Sequence, residues 1–517
     1  MSWLATTASL CLSLLATFAL ADLPVHCMRS QVYGDWDLTL SAPVPNRNVA
    51  CGHPSPDTNL AELQLAYEIR PVSAVLRVRL SAPNVVVDRD TAERGTFTTV
   101  VDEGMEIRIA GRVLFAKFHY HLADPADLDD DDDDLPPIDD RSAYVSDCGR
   151  TSPGWFRQDD GQWGCFLAEQ TRPSANGKTA SLLIRSSGYF DEHRRQRTYQ
   201  YDEALVDAVN SDPLSLWQAT IYPTFADLSE YTLNKLMGRK RYLKSVAGSR
   251  GEVVRVEDDD GDDGLPLAVD WRNHDGHNFD SPIRNQGRCG SCYAFATGAM
   301  LEARTRIARY RHGLGMSNPA YSTSDVLSCS RYNEGCHGGY PFLVAKYAQE
   351  FGLLHDDDDD DDAGDDDQCA STGRVRFTDD YHYVGGWYGA CNERDMRREL
   401  ALYGPITAAL QVPHDLTMYK SGIFTACPDG AGAKNADGYE YSDHAVVIVG
   451  YGERDAVKYW IIRNSWGTAF GENGYFRLPR GVDACGIESS AVAAYPFPPS
   501  NGAVKKRHRQ ARRKQRL

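Results

Sequence analysis

The chain has no Asn-x-Ser/Thr site with x other than Pro, so N-linked sugars cannot be its targeting signal. It has no tandem repeat, which excludes a solenoid or propeller. Outside residues 4–20 no apolar run reaches the ~18 residues that a spanning helix needs, so stable membrane insertion of a mature protein is not expected. Positive charge is also scarce, with a net charge of -18. That acidity is local: residues 129–134 hold six Asp, 258–263 five and 356–367 ten, and the remainder sums to about +3. A main body without a strong basic excess is not expected to bind nucleic acid. Hydrophobic residues at 42% and aromatics at 10% are ordinary for a globular protein. Thirteen cysteines in 517 residues are few for a disulfide-dense miniprotein and many for a cytosolic enzyme, so the N-terminus decides the compartment.

Residues 4–20 are uncharged and mostly apolar, and Ala19-Leu20-Ala21 is a small-x-small site just before Asp22. This predicts a secretory signal over 1–21, a soluble mature protein and an oxidising compartment. From 22 to 171, short alternating runs such as Met105-Glu106-Ile107-Arg108-Ile109 are separated by turn residues, which predicts antiparallel β structure. Cys27, Cys51, Cys148 and Cys165 can form two bridges there, in any of three pairings. Residues 172–264 are polar and charged, with helical stretches around 201–209 and 228–237 and the second Asp tract at the end. They read as a linker or a removable segment. A Trp- and Gly-rich globular unit fills 265–499, and 500–517 is a tail with eight Lys or Arg between 505 and 516, read either as solvated or as serving anionic-surface binding or sorting.

The most specific signal is Asn285-Gln-Gly-Arg-Cys-Gly-Ser-Cys-Tyr293, followed by an apolar-periodic run to about Ala308. Cys292 thus stands at a helix N-terminus, where the dipole favours a thiolate. His444, in Ser442-Asp-His-Ala-Val-Val, is the candidate base that would also protonate a leaving amine. Asn464, in Arg463-Asn-Ser-Trp-Gly467, can orient the imidazole. The Gln286 side-chain amide and the Cys292 backbone N–H would form an oxyanion hole. Gly338 and Gly339 fit either a rim that a substrate backbone approaches closely or a tight turn.

These residues carry a resemblance to papain-family cysteine proteases, whose local signature includes Cys-Gly-[Ser/Ala]-Cys-[Trp/Tyr]. His444 and Asn464 follow Cys292 by 152 and 172 residues, in the family's order. Asp22-Leu-Pro-Val-His-Cys27, Trp163-Gly-Cys-Phe166, Val269-Asp-Trp-Arg-Asn273 and Tyr381-His-Tyr-Val-Gly-Gly386 further resemble the cathepsin C (dipeptidyl peptidase I) branch. The fold this implies is α+β: a papain-like two-lobed catalytic domain over 265–499, preceded by an antiparallel β-barrel-like exclusion domain over 22–171, with 172–264 as propeptide and acidic linker. The resemblance implies removal of dipeptides from free N-termini through a thioester, with Asp22 pairing with the substrate ammonium. It implies Cys289–Cys336 and Cys329–Cys369 bridges, and assigns no role to Cys391, Cys427 or Cys485. It implies a chloride ion at Tyr383 and the backbone around Tyr340 and Phe342, no organic cofactor and no metal. An activating protease, a homo-oligomer (a tetramer in the family) and a lysosomal, vacuolar or secreted location belong with it. Phe342 stands where the family has Tyr, and the Asp tract at 356–367 replaces a family segment with its cysteine. The competing readings are a papain-fold endopeptidase and a silent acidic calcium-binding or interaction protein, although the Asp tracts lack the ligand spacing of an EF-hand loop.

Overall fold

The computed structural model describes residues 27–45, 49, 51, 69, 71–122, 144–174, 199–226, 228, 229, 233, 264–316, 320–355, 369, 378–427 and 442–496. In the first unit, strand β1 (Gly34–Ser41) pairs antiparallel with both β2 (Val72–Ser81) and β9 (Trp163–Pro173). The sheet therefore closes through β3 (Val85–Asp88), β4 (Arg94–Val100), β5 (Gly104–Ile109), β6 (Arg112–Leu122) and β8 (Gly154–Gln158) into an eight-stranded barrel. Strand β7 (Tyr144–Thr151) lies on β6. Period-two alternation turns Trp36, Leu38 and Leu40 inward against Val78, Leu80, Met105 and Ile107, and closure leaves no ladder edge among these strands. Of the three possible pairings, the bridges are Cys27–Cys148 and Cys51–Cys165.

The polar segment after the barrel, read from the sequence as a linker or a removable segment with helical stretches, is packed on the catalytic unit where it is described. Asp202 caps helix α1 (Glu203–Ser211) by accepting from Leu205 N, close to the first predicted stretch. Strand β10 (Trp217–Ala219) then pairs with β14 (Tyr419–Gly422) of the catalytic unit. Its few large apolar residues act as anchors: Trp217 packs on Phe424 and Phe225 on Trp466, with ring centroids 4.8 and 5.8 Å apart. Of the second predicted stretch only Leu228, Ser229 and Leu233 are described, and both leucines are buried. The three Asp tracts and the basic tail lie outside the described residues.

The catalytic unit is built on a sheet in the order β12 (Thr378–Tyr383), β18 (Ala491–Pro496), β13 (Ile406–Leu410), β15 (His444–Arg454), β16 (Val457–Arg463) and β17 (Tyr475–Pro479), with β11 (Val269–Asp270) added to β15. Strand β15 is buried on both faces, as its near-continuous apolar run requires. Ala445, Val447 and Val449 face one hydrophobic core and Val446 and Ile448 the other. Its first residue, His444, thus stands where two lobes meet. Helix α2 (Cys292–Arg311) is packed on nearly every face rather than on one stripe. Its buried charges are all held: Glu302 accepts from Arg284 at 2.7 Å, Arg304 donates to Glu399 at 3.0 Å, and Arg306 donates to the carbonyl oxygens of Phe279 and Asp280. Helices α3 (Thr323–Cys329), α4 (Pro341–Glu350) and α5 (Glu393–Tyr403) complete the unit.

The bridges Cys289–Cys336 and Cys329–Cys369 are those the resemblance implies, and Cys427–Cys485 is a third. Cys391 is buried and unbridged.

Candidate active site

Two loops, far apart in sequence, are stitched together around the first turn of α2. Gln286 N–H donates to Ser465 O at 2.9 Å and Gly467 N–H to Arg284 O at 3.2 Å, so the segment before Cys292 and the segment after Arg463 run side by side. Gly287 takes the positive φ (+62°) that this tight approach requires. The Cys289–Cys336 bridge and a Gly290 N–H bond to Cys336 O (2.9 Å) fix the other flank. Cys292 is therefore presented at the helix start by rigid neighbours, 6% exposed.

The backbone N–H of Ala445 donates to Cys292 Sγ at 3.4 Å, which puts the beginning of β15 against the sulfur. His444 Nε2 lies 2.8 Å from Asn464 Oδ1. That oxygen also accepts from Ser465 N–H at 2.8 Å, which marks it as the acceptor and assigns the imidazole proton to Nε2. Nδ1, buried and without a hydrogen-bond partner, is left as the basic nitrogen. Trp466 covers the ring at 5.0 Å between centroids. Cys292, the start of β15 with His444, and Asn464 are thus brought together in one place.

Ionisation follows a different balance from the sequence expectation. Burial pushes the Cys292 thiol up to about 11, despite lowering by the backbone N–H groups of Ala445, Tyr293 and Cys292 itself. Burial also pushes His444 down to about 4, and the bond to Asn464 recovers only part of that. The helix terminus alone does not ionise the sulfur, because desolvation is larger. Between those two values the pair holds one proton, and moving it from Sγ to Nδ1 creates thiolate and imidazolium together without net charge.

Gln286 donates through Nε2 to Cys289 O at 3.0 Å, and its Oε1 accepts from the Ser465 hydroxyl. Its carboxamide is locked by these two bonds, and the oxyanion donor expected of it would act from this fixed position. Gln286→Ala is expected to lower kcat by about a hundredfold or somewhat more, the usual loss for one such donor, with KM little changed. Steady-state kinetics on a chromogenic peptide would show it. Ser465, which pins Gln286, escaped the sequence reading although it directly follows Asn464.

Gly338 adopts φ +129°, and a β-carbon on Gly339 would lie 2.4 Å from Asn333 Oδ1 and 2.7 Å from the Tyr293 ring. At 339 the missing side chain is already demanded by packing inside the fold. Tyr340 N–H donates to Asn333 Oδ1 at 2.9 Å. Phe342 stacks on Tyr383 with centroids 4.6 Å apart, and the Tyr383 side chain is buried with its hydroxyl beside the Val101 backbone. Asp22 lies outside the described residues. Among the described residues no group of three or more His, Cys, Asp or Glu is placed to hold a metal ion.

Comparison with known proteins agrees with this geometry. Residues 265–495 match the papain family cysteine protease family, and residues 22–170 the cathepsin C exclusion domain. Cathepsin C of Schistosoma mansoni is 30% identical over 93% of this chain and 96% of its own length. Dipeptidyl aminopeptidase 1 of Plasmodium falciparum is 24% identical over 93% of this chain and 94% of its own. Cathepsin B-like cysteine proteinase 4 of Caenorhabditis elegans, 30% identical, aligns with 57% of this chain. With a relative 30% identical across nearly the whole of both chains and an exclusion domain ahead of the protease domain, this chain belongs to the cathepsin C family of papain-type cysteine proteases.

Proposed function

We propose that the enzyme removes dipeptides from free N-termini through a thioester intermediate. The Sγ proton passes to His444 Nδ1 and the thiolate adds to the scissile carbonyl, while the Cys292 and Gln286 N–H groups receive the oxyanion. Collapse breaks the C–N bond, and the imidazolium gives its proton to the leaving amine. Water, deprotonated by His444, then cleaves the thioester, and the proton returns to sulfur.

The observation that carries the dipeptide register is the docking of the barrel on the glycine rim. Glu103, in the turn between β4 and β5, accepts from the Tyr340 hydroxyl at 2.6 Å, directly after Gly338 and Gly339. Cys27 N–H donates to Asp102 O in the same turn at 2.9 Å. Asp22 is five residues before Cys27, within ~17 Å of that turn at full extension. A carboxylate there pairs with the ammonium of a substrate whose backbone the barrel stops.

Asp22→Ala, with processing after Ala21 verified by N-terminal sequencing, is expected to lower kcat/KM on free dipeptide substrates about ten- to a hundredfold, the worth of one charge-assisted bond. Substrate acetylation is expected to penalise the wild type far more than the variant. Equal cleavage of free and acetylated peptides by the wild type would give the endopeptidase reading its place.

A chloride ion fits this reading in part. The buried Tyr383 hydroxyl and the Phe342 N–H, a first-turn amide of α4 without an intrahelical acceptor, would hold it, whereas Tyr340 N–H is committed to Asn333. The ion would supply a fixed negative charge and takes no part in proton transfer. Tyr222 and Phe225 pack on Phe470 and Trp466, the latter covering His444, so removal of 172–264 by an activating protease would uncover the leaving-group side. Five disulfides suit an oxidising secretory route. An acidic lysosomal or vacuolar destination and a homo-oligomer, a tetramer by resemblance, complete the proposal.

A further inference from the structure

The barrel meets the catalytic unit across a seam of charged and hydroxyl groups. In β5 the inward residues are Met105, Ile107 and Ile109, so Glu106 and Arg108 leave through the barrel wall. That wall is covered. Glu106 is 1% exposed and accepts from the Tyr381 hydroxyl at 2.6 Å, from Lys346 Nζ at 3.2 Å and from Arg108 Nε at 2.8 Å. Tyr381 and Lys346 belong to the catalytic unit. Lys346, 2% exposed, also donates to Glu350 at 2.8 Å, whose second oxygen accepts from the Tyr332 hydroxyl at 2.6 Å. Arg108 reaches Asp380 at 3.4 Å.

Other contacts cross the seam nearer its edge, such as Lys117 with Glu334 and Arg157 with Gln349. Glu106 differs in being fully buried and in touching two elements of the other unit at once. Burial opposes its charge, yet Arg108, Lys346 and the Tyr381 hydroxyl hold its carboxyl down at about 2. The pairing therefore persists in an acidic compartment. Lys346 sits on α4, which starts at Pro341 immediately after Tyr340 and the glycine rim. From Tyr340 to Lys346 is six residues, ~9 Å of helix, so one rigid element joins the buried charge to the edge of the cleft.

We propose that Glu106 is a positioning residue for the exopeptidase register: its bonds to Lys346 and Tyr381 lock the barrel onto α4 in the orientation that keeps one end of the cleft closed. The proposal rests on the dipeptidyl reading above. Neutralising Glu106 leaves Lys346 with Glu350 and Arg108 with Asp380, so each cation keeps a carboxylate and the units still fold. What is lost is the central bond between them, which lets the barrel shift and longer chains pass.

The test uses the processed full-length enzyme and one peptide in free and N-acetylated forms. The wild type is measured first. A strong preference for the free form establishes the dipeptidyl reading, and no preference removes that reading and this proposal together. Glu106→Gln is then expected to raise the acetylated-to-free ratio of kcat/KM at least tenfold, while inactivation of Cys292 by iodoacetamide stays within twofold of wild type. Lys346→Met is expected to act in the same direction, and Glu106→Gln with Lys346→Met no more strongly than the larger single change, because both remove one bond. Tyr381→Phe, which removes only a hydroxyl, keeps the test decisive should Glu106→Gln fold poorly, and a smaller rise in the same ratio is expected. If the folded variants lose activity on both peptides in proportion, with the ratio unchanged, Glu106 is structural only and the proposal is overturned.

Discussion

Cys292→Ala is expected to lower peptide hydrolysis on the order of a millionfold, the scale of loss when an acyl-transfer nucleophile is removed. The site leaves no substitute. The only other unbridged cysteine among the described residues is Cys391, which belongs to the opposite hydrophobic core, and the Ser291 hydroxyl has no hydrogen-bonded base. Folding should survive, since the change removes one sulfur atom and breaks no bridge. Secretion yield and circular dichroism would confirm that the protein is intact, and a single-turnover acylation assay would measure the loss. Detectable acyl-enzyme in that variant would sink the thioester mechanism.

Asp280→Ala is expected to destabilise the catalytic unit by about 3–5 kcal/mol, the cost of stripping the partner from a buried charge. Asp280 accepts from Arg463 at 2.9 Å and from the Tyr475 hydroxyl at 2.6 Å, and also from Ser281 N–H at 2.9 Å. Arg463 is 5% exposed and the neighbouring Arg306 4%. Without the carboxylate Arg463 keeps only the Ser281 and Pro282 carbonyl oxygens in a dry region it shares with Arg306, which retains Glu302 nearby. Arg463 precedes Asn464 in the chain, so the loss should also loosen the amide that orients His444. Urea unfolding followed by tryptophan fluorescence would give the shift, and a change below about 1 kcal/mol would contradict the argument.

The candidate catalytic residues were legible because each sits in a short motif whose chemistry is local. Cys292 opens a helix, His444 opens a buried strand, and Asn464 follows Arg463 in a turn tied to Gln286. The antiparallel β structure was legible from alternation and its barrel form from the resemblance, and the structure turns Met105, Ile107 and Ile109 inward. The same alternation marks Glu106 and Arg108 as outward, and no pattern within one strand says whether outward means water or another unit. Helix α2 was harder for a related reason. Glu302, Arg304 and Arg306 look like a polar face, yet each is buried by partners about 20 to 100 residues away in sequence. In the segment from Tyr199 to Leu233 a helix near 201–209 was legible, whereas its docking was not, because the average composition is polar and a few aromatic anchors hold it to the catalytic unit. Pairing of Cys427 with Cys485 depends on loops whose approach only the folded sheet defines.

The disulfides divide the molecule in a way that its surface does not. Two bridges stay within the barrel and three within the catalytic unit, so among the described cysteines none ties one to the other. While the chain is whole, the peptide backbone tethers the two units at a high local concentration. If activation excises the intervening segment, as proposed above, that tether is gone, and the proposed restriction of cleavage would become a property of a complex that dilution can take apart.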